Sequence, residues 1–443
     1  MPGPGSWRLF GFFVLSACGG RTTLDMPWVS DNGFSAVGGA PGSEHVPIAS
    51  GGRSQDPGVG LTSGGKAGGS GSIATAGGGM AAAGAPAVPG VATMISAGAD
   101  MSCATTSNGS VWCWGGNDHG QLGNGTKTNS WVPVRVSKIN TAVAVSAGGT
   151  WNAGGKGASL SAFACAVLRN GAVVCWGDSY GAPALDRSVP RTIYGANEVV
   201  AIASGNAHTC ALTRAGSVWC WGANDRGQLG TGVTDSGRAD PSPVHGIVGA
   251  VAVAGQGSDF SCAVQADSSL WCWGKYNGGT DFSSLENAVS PVRISGVSTS
   301  ASGLAAGRSN ICAVSRESKE LECWGVDYSS AAPITVRGLR APAVAVSEGA
   351  FTTCALLIDH TIQCWGEGRG GQLGNDARSS SDVPVDVLGI SDAVAVSVGY
   401  LHACALSKTG SVSCWGASEG LGNGSPSTRD ALRPVPVTGF GPL

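Results

Sequence analysis

Cys210 Ala211 Leu212 Thr213 Arg214 Ala215 Gly216 Ser217 Val218 Trp219 Cys220 Trp221 Gly222 is one of seven copies of a single pattern: a cysteine, a turn about midway, then Cys-Trp-Gly. The pairs are Cys103 with Cys113, Cys165 with Cys175, Cys210 with Cys220, Cys262 with Cys272, Cys312 with Cys323, Cys354 with Cys364 and Cys404 with Cys414. A strand runs through each cysteine, as in His208 Thr209 Cys210 Ala211 Leu212 and Val218 Trp219 Cys220, and glycine marks most of the turns, so each copy reads as an antiparallel hairpin. Placing Cys210 opposite Cys220 sets Leu212 against Val218 and centres the turn on Ala215. Facing residues on adjacent strands have Cβ atoms about 4.5–5.5 Å apart, close enough for a disulfide after slight closure. The copy from Cys312 to Cys323 has one extra residue, which predicts a longer turn over Arg316 to Glu320. Zinc would require four ligands at one place with closer cysteine spacing, and pairs spread over separate hairpins do not provide that.

A self-similar period of roughly 50 residues overrides any domain count drawn from the 443-residue length. The formal net charge is -3 and no cluster of lysine and arginine occurs, which removes the electrostatic footprint of a nucleic-acid binder. Paired cysteines at this density indicate an oxidising compartment. The fifteenth cysteine, Cys18, follows Arg8 and a short apolar run, Leu9 to Ala17. That run is too short to span a bilayer and reads as the core of a signal peptide. Leu15 Ser16 Ala17 Cys18 looks like a bacterial lipobox, in which the signal is removed and the cysteine acylated. Residues 1–18 therefore read as a lipoprotein signal peptide, with Cys18 the lipidated residue. Gly19 is not the aspartate associated with inner-membrane retention, so the expected address is the outer membrane of the cell envelope. Residues 19–90, in excess of Gly, Ala and Ser, predict a disordered tether with a mean reach of about 45–50 Å.

Residues 91–443 carry the repeats. Each unit opens on a strand of small and branched residues before a glycine, as in Ala142 Val143 Ala144 Val145 before Gly148 and Ala393 Val394 Ala395 Val396 before Gly399. Two cysteine strands follow, then a loop, then a Pro-Val strand such as Val132 Pro133 Val134 or Val383 Pro384 Val385. Proline removes a backbone donor, which assigns this strand to an outer edge. The fold expected is all-β, a seven-bladed β-propeller of four-stranded antiparallel blades. The Pro-Val strand at the C-terminus is expected to close the ring by joining the N-terminal blade. The tryptophans of Cys-Trp-Gly are expected to pack between blades. His208 and His402 stand two residues before a cysteine, where other units have Met101, Phe163, Phe260, Asn310 and Thr352; so mixed a position reads as a packing slot.

The glycine, the cysteine strands, Gly-x-Val-x-Cys-Trp-Gly and the loop after it resemble the regulator of chromosome condensation repeat family. That loop stands as Asn117 Asp118 His119 Gly120 Gln121 Leu122 Gly123, as Asn224 Asp225 Arg226 Gly227 Gln228 Leu229 Gly230, and in part as Gly371 Gln372 Leu373 Gly374. The units at Asp178 and Lys275 lack the Gly-Gln-Leu-Gly portion. The resemblance implies a propeller that works mainly through protein contacts. The best-known nuclear members catalyse guanine-nucleotide exchange on a small GTPase, but no acidic residue of this chain matches their GTPase-facing surface one to one. Secreted bacterial propellers that this chain resembles include inhibitors of β-lactamases.

Strand direction places the turns at the Gly98 type and the loops after Trp-Gly on one face, the expected recognition face. The reading is a monomeric, lipid-anchored, non-enzymatic binding module for a protein or surface polymer of the envelope, with no cofactor or metal and with membrane contact only through the anchor. Its candidate contact residues are Asp118, His119, Trp151, Tyr180, Asp225, Arg226, Tyr276, Glu367 and Arg369, chosen as large or charged loop side chains. An insertion of twelve residues within Gly149 to Ser161 lies on the same face. The rival reading, a glycan-processing enzyme, needs convergent carboxylates, whereas acidic residues here are scattered over loops and the axial strands are Ala and Val.

Overall fold

A computed structural model of the chain describes residues 89–151, 159–178, 187–255, 259–275, 288–308, 310–325, 330–417, 420–425 and 430–441. The signal segment with Cys18 and almost all of the tether lie outside the described residues, as do Tyr180, Tyr276, the side chain of Trp151 and the middle of the insertion. Among the described residues the protein is all-β, and its sheets are antiparallel. Five sheets have four strands each and a sixth has seven.

The first sheet shows the build. Its inner strand Ala92–Ala97 pairs with Met101–Thr106, that strand with Val111–Gly115, and that one with the outer strand Ser130–Arg135. Cys103 faces Cys113 in register. The same facing pair recurs in the other six hairpins: Cys165 with Cys175, Cys210 with Cys220, Cys262 with Cys272, Cys312 with Cys323, Cys354 with Cys364 and Cys404 with Cys414. All seven pairs are disulfides, as their spacing predicts, with Cα atoms 4.0–4.1 Å apart. The extra residue between Cys312 and Cys323 falls between strands Asn310–Ser315 and Leu321–Gly325, at the predicted turn. In the seven-stranded sheet the strand Ala288–Ala306 is 19 residues long. Its residues 288–298 pair with Ser269–Lys275, and its residues 299–306 pair with Asn310–Ser315.

Each inner strand lies against the inner strand of the next sheet, and Ala393–Val398 lies against Ala92–Ala97, so the sheets close on themselves. Backbone amides bond to serines of the neighbouring inner strand around this circle. Ala147 donates to Ser96 Oγ, Ser204 to Ser146 Oγ, Val398 to Ser347 Oγ and Ala97 to Ser397 Oγ, each at 2.9 Å. The last of these crosses the seam between the two ends of the repeat region.

One expectation fails at this seam. The C-terminal strand Ala431–Pro436 pairs with Val412–Gly416 of its own sheet and does not join the N-terminal sheet. The outer position of the N-terminal sheet is already taken, because Ser130–Arg135 follows its cysteine hairpin and pairs there. The two ends of the repeat region meet instead at a parallel bridge, Gly90 with Phe440. Side chains complete the closure: Trp114 Nε1 donates to Gly420 O at 2.9 Å, and its ring lies 5.6 Å from that of Phe440.

The repeated tryptophans explain how neighbouring sheets adhere. Each lies in the apolar cluster of the preceding unit, beside that unit's disulfide: Trp176 with Cys103, Trp221 with Cys165, Trp273 with Cys210 and Trp324 with Cys262. Trp365 likewise lies with Cys312, Trp415 with Cys354 and Trp114 with Cys404. All seven are buried. Where the preceding loop is Gly-Gln-Leu-Gly, the indole also donates to the glutamine carbonyl: Trp176 to Gln121 O at 2.8 Å, Trp273 to Gln228 O at 3.0 Å and Trp415 to Gln372 O at 2.9 Å. The last glycine of that loop is required by the same ring, since a Cβ on Gly123, at φ +63, would stand 2.7 Å from Trp176 Cδ1.

Candidate functional site

One face of the ring gathers two kinds of loop. In four units the residue after Trp-Gly donates its amide to the turn that joins the inner strand to the first cysteine strand: Gly116 to Asp100 O, Ala223 to Ala207 O, Glu367 to Phe351 O and Ala417 to Leu401 O, at 2.7–2.9 Å. In the unit with the insertion Asp178 donates to Ala162 O of the extended first cysteine strand, at 2.8 Å. Strand direction alone predicts this grouping, and the hydrogen bonds fix it.

Around the inner edge of this face, backbone ties the turns of neighbouring units together. Tyr400 N donates to Gly98 O at 3.2 Å, Ala350 N to Gly399 O at 3.4 Å, and Gly149 N to Gly205 O at 3.1 Å. The turn glycines permit this approach. A Cβ on Gly399 would fall 2.5 Å from Gly98 O, one on Gly349 2.1 Å from Gly399 O, and one on Gly205 2.6 Å from Gly255 O. The insertion continues the ladder outward from here, with Gly149 opposite Ala162, Thr150 opposite Ser161 and Trp151 opposite Ser159.

Two histidines lie directly beneath. His208 and His402 are buried, and each bonds a serine of the next sheet, His208 Nε2 to Ser261 Oγ and His402 Nε2 to Ser102 Oγ, both at 2.7 Å. Burial pushes both imidazoles down to about 4, so they are neutral at ordinary pH. They act as polar pegs between sheets, which refines the packing-slot reading. Glu348 departs from the expectation of purely Ala and Val inner strands. Its carboxylate is buried at the end of Ala343–Glu348 and accepts from Gly307 N at 2.6 Å. It sits where neighbouring strands carry Ala97, Ala147 or Val398, and nothing in the period of small residues announces it.

Among the described residues the candidate contacts occur as local pairs around the rim, with no single point of convergence. His119 Nδ1 is 3.5 Å from Asp178, which also pairs with Arg187. Asp118 is exposed. Asp225 pairs with Arg226 at 3.0 Å, and Glu367 with Arg369 at 3.4 Å. The loop asparagines hold their own loops: Asn117 Nδ2 donates to Thr128 O and its Oδ1 accepts from Leu122 N, and Asn224 does the same with Val233 O and Leu229 N. Sequence reasoning missed a small apolar cluster beneath this face, where Phe351 and Tyr400 stack edge to face at 5.2 Å beside Ala350 and Leu401, with Tyr400 and Ala350 buried and the other two half-buried. It also missed the side-chain roles of Gln121, Gln228 and Gln372. Comparing what surrounds each glutamine from copy to copy would have found them.

Profiles described as regulator of chromosome condensation (RCC1) repeat match residues 108–153, 215–264 and 359–406, and a second such profile matches 94–121, 199–228 and 393–420. The chain carries RCC1 repeats. Among curated proteins, the human E3 ubiquitin-protein ligase HERC2 is 29% identical over 150 residues, which are 32% of this chain and 3% of that protein. This chain thus aligns with only a small fraction of the curated relative. Among solved structures, human WBSCR16 aligns over 72% of this chain and 86% of its own at 21% identity, with a TM-score of 0.61, which shows a shared fold. Yeast RCC1 (Prp20) aligns over 78% of this chain and 75% of its own at 18% identity, with a TM-score of 0.45. Disulfides in every hairpin point to an extracellular or exported protein.

Proposed function

We propose that this RCC1-repeat chain is a non-enzymatic binding module that recognises a protein or a surface polymer through its loop face, held at the outer bacterial envelope by a lipid on Cys18. The observation that carries the reading is the way charge is laid out on that face. Around its inner edge glycine turns are bonded from one unit to the next, and among the described residues Asp178, Asp225 and Glu367 sit in separate ion pairs around the rim, without the convergent carboxylates a glycan-processing site needs. What it presents is a rim of loops carrying exposed charge, an arrangement suited to a broad contact. We further propose seven blades. The 19-residue strand Ala288–Ala306 serves as the outer strand of one blade and, after residue 298, the inner strand of the next, dividing the seven-stranded sheet into two sets of four.

The test is capture from detergent-solubilised envelope by the full-length protein. A partner should be retained by the wild type, and lost or weakened at least tenfold when Gly149 to Ser161 is shortened to the connection of the other units or when several rim charges are reversed. Equal capture by all these variants would contradict recognition through this face.

A further inference from the structure

Three loops of this face carry Gly-Gln-Leu-Gly, and each turns its glutamine side-chain oxygen back on the loop. Gln121 Oε1 accepts from His119 N at 2.9 Å, Gln228 Oε1 from Arg226 N at 2.8 Å and Gln372 Oε1 from Gly370 N at 2.8 Å. With the oxygen so fixed, Nε2 is the donor left to find another acceptor in every copy. In the first copy it donates to the Asp100 carboxylate, at 3.3 Å from each oxygen. In the second it donates to Asp225 Oδ1 at 3.1 Å. In the third, Gln372 is 1% exposed and its Nε2 has no hydrogen-bond partner among the described residues.

The sequence explains why this donor is left over. Phe351 stands three residues before Cys354, in the register that Asp100 holds before Cys103. Arg369 stands three residues before Gln372, in the register that Asp225 holds before Gln228. The third copy has thus lost both carboxylates that serve the first two and has placed a cation in one of their positions. Glu367 does not substitute for them, since its Oε1 is engaged by Arg369 N at 3.1 Å and Arg369 Nε at 3.4 Å. A buried donor without an acceptor is costly, and a partner that arrives with a ligand resolves it.

We infer that Gln372 Nε2 and the Arg369 guanidinium form a carboxylate-binding site, filled by an aspartate or glutamate side chain of an acidic segment in a partner protein. Depth is no obstacle: Gln228 is equally buried at 1%, yet is reached by Asp225, whose own side chain is 63% exposed. The Arg369 side chain is 85% exposed and can turn to an incoming anion. An amide donor and a guanidinium together match the two oxygens of one carboxylate, and the bond to Arg369 is charge-assisted. The half-buried Phe351 and Leu401, backed by the buried Tyr400, give apolar surface for the residues flanking the acidic one. This site rests on the loop face being the binding face.

The experiment titrates full-length protein with capped hexaglutamate and follows the Gln372 side-chain amide by NMR, with capped hexalysine as control. The expected result is a saturable downfield shift of that amide with hexaglutamate and none with hexalysine. The apparent affinity should fall at least fivefold in Arg369→Ala. In Arg369→Asp, which restores a carboxylate in the register of Asp225, the amide should already be shifted and should not respond to peptide. A Gln372 amide indifferent to hexaglutamate, or responding equally in Arg369→Asp, overturns the site. Its failure is separable from that of the broader reading: an envelope partner captured equally by wild type and Arg369→Asp leaves the binding face standing and removes only the carboxylate site.

Discussion

Lowering the pH from 7 to 5 should cost this protein several kcal/mol through two residues alone. His208 and His402 are wholly buried between sheets, and burial pushes each imidazole from its ordinary 6.5 to about 4. The unfolded chain takes up protons near pH 6.5, while the folded chain declines them until about pH 4. Stability therefore rises with pH through this window; the contribution is complete above 6.5 and is lost progressively as pH falls toward 4. At pH 5 each histidine accounts for about 2 kcal/mol, so the pair accounts for about 4 kcal/mol. Urea unfolding with disulfides intact, read by tryptophan fluorescence, measures it at pH 7 and pH 5. The control is His208→Gln/His402→Gln, whose amides can reach Ser261 and Ser102 but do not titrate in this range. Asp235, Asp267, Asp359 and Asp376, held below the usual carboxylate range mainly by hydrogen bonds, act only at lower pH, and Glu322, raised by burial, is common to both proteins. If wild type and the double variant lose the same stability between pH 7 and pH 5, the histidines are not buried neutral pegs.

Other outcomes follow from the same contacts. Trp273→Phe keeps most of the ring packing but removes the bond to Gln228 O, and should lower stability by about 1 kcal/mol, against about 3–5 kcal/mol for Trp273→Ala, in the same urea assay. Gly399→Ala places a methyl 2.5 Å from Gly98 O at the seam and should cost about 1–3 kcal/mol, whereas Gly389→Ala, with open space at φ +81, should cost about 1 kcal/mol from backbone strain alone. Cys404→Ser/Cys414→Ser opens a loop of separation 10 and should lower stability by about 2–3 kcal/mol, with calorimetry reporting the shift.

Much of the fold was legible because it is written in repeats. Cysteine spacing alone fixed the hairpin registers, from Cys103 with Cys113 through Cys262 with Cys272 and Cys354 with Cys364, since facing cysteines permit only one pairing. Alternation sent Trp221 and its six equivalents between sheets. The face shared by Gly98-type turns and post-Trp loops also followed, because strand direction determines it. Closure was misread because a Pro-Val strand at the chain end looks spare when strands are counted; in space it is simply the nearest partner of Val412–Gly416. Long-range contacts such as Trp114 with Gly420 O leave no mark on local sequence. The site was legible only as a face. Large and charged loop residues were chosen for their types, and Asp225 with Arg226 and Glu367 with Arg369 turned out to pair with each other. What distinguishes one loop from another is who answers a buried glutamine, and that depends on residues from two strands brought together by folding.

The most direct test of recognition through the loop face is a hydrogen-exchange footprint of the full-length protein with its captured envelope partner. Protection is expected at the face turns, residues 98–101, 205–208, 349–352 and 399–402, and at the root of the insertion. Protection confined to the opposite hairpin turns, residues 107–110, 214–217, 358–361 and 407–410, would contradict it.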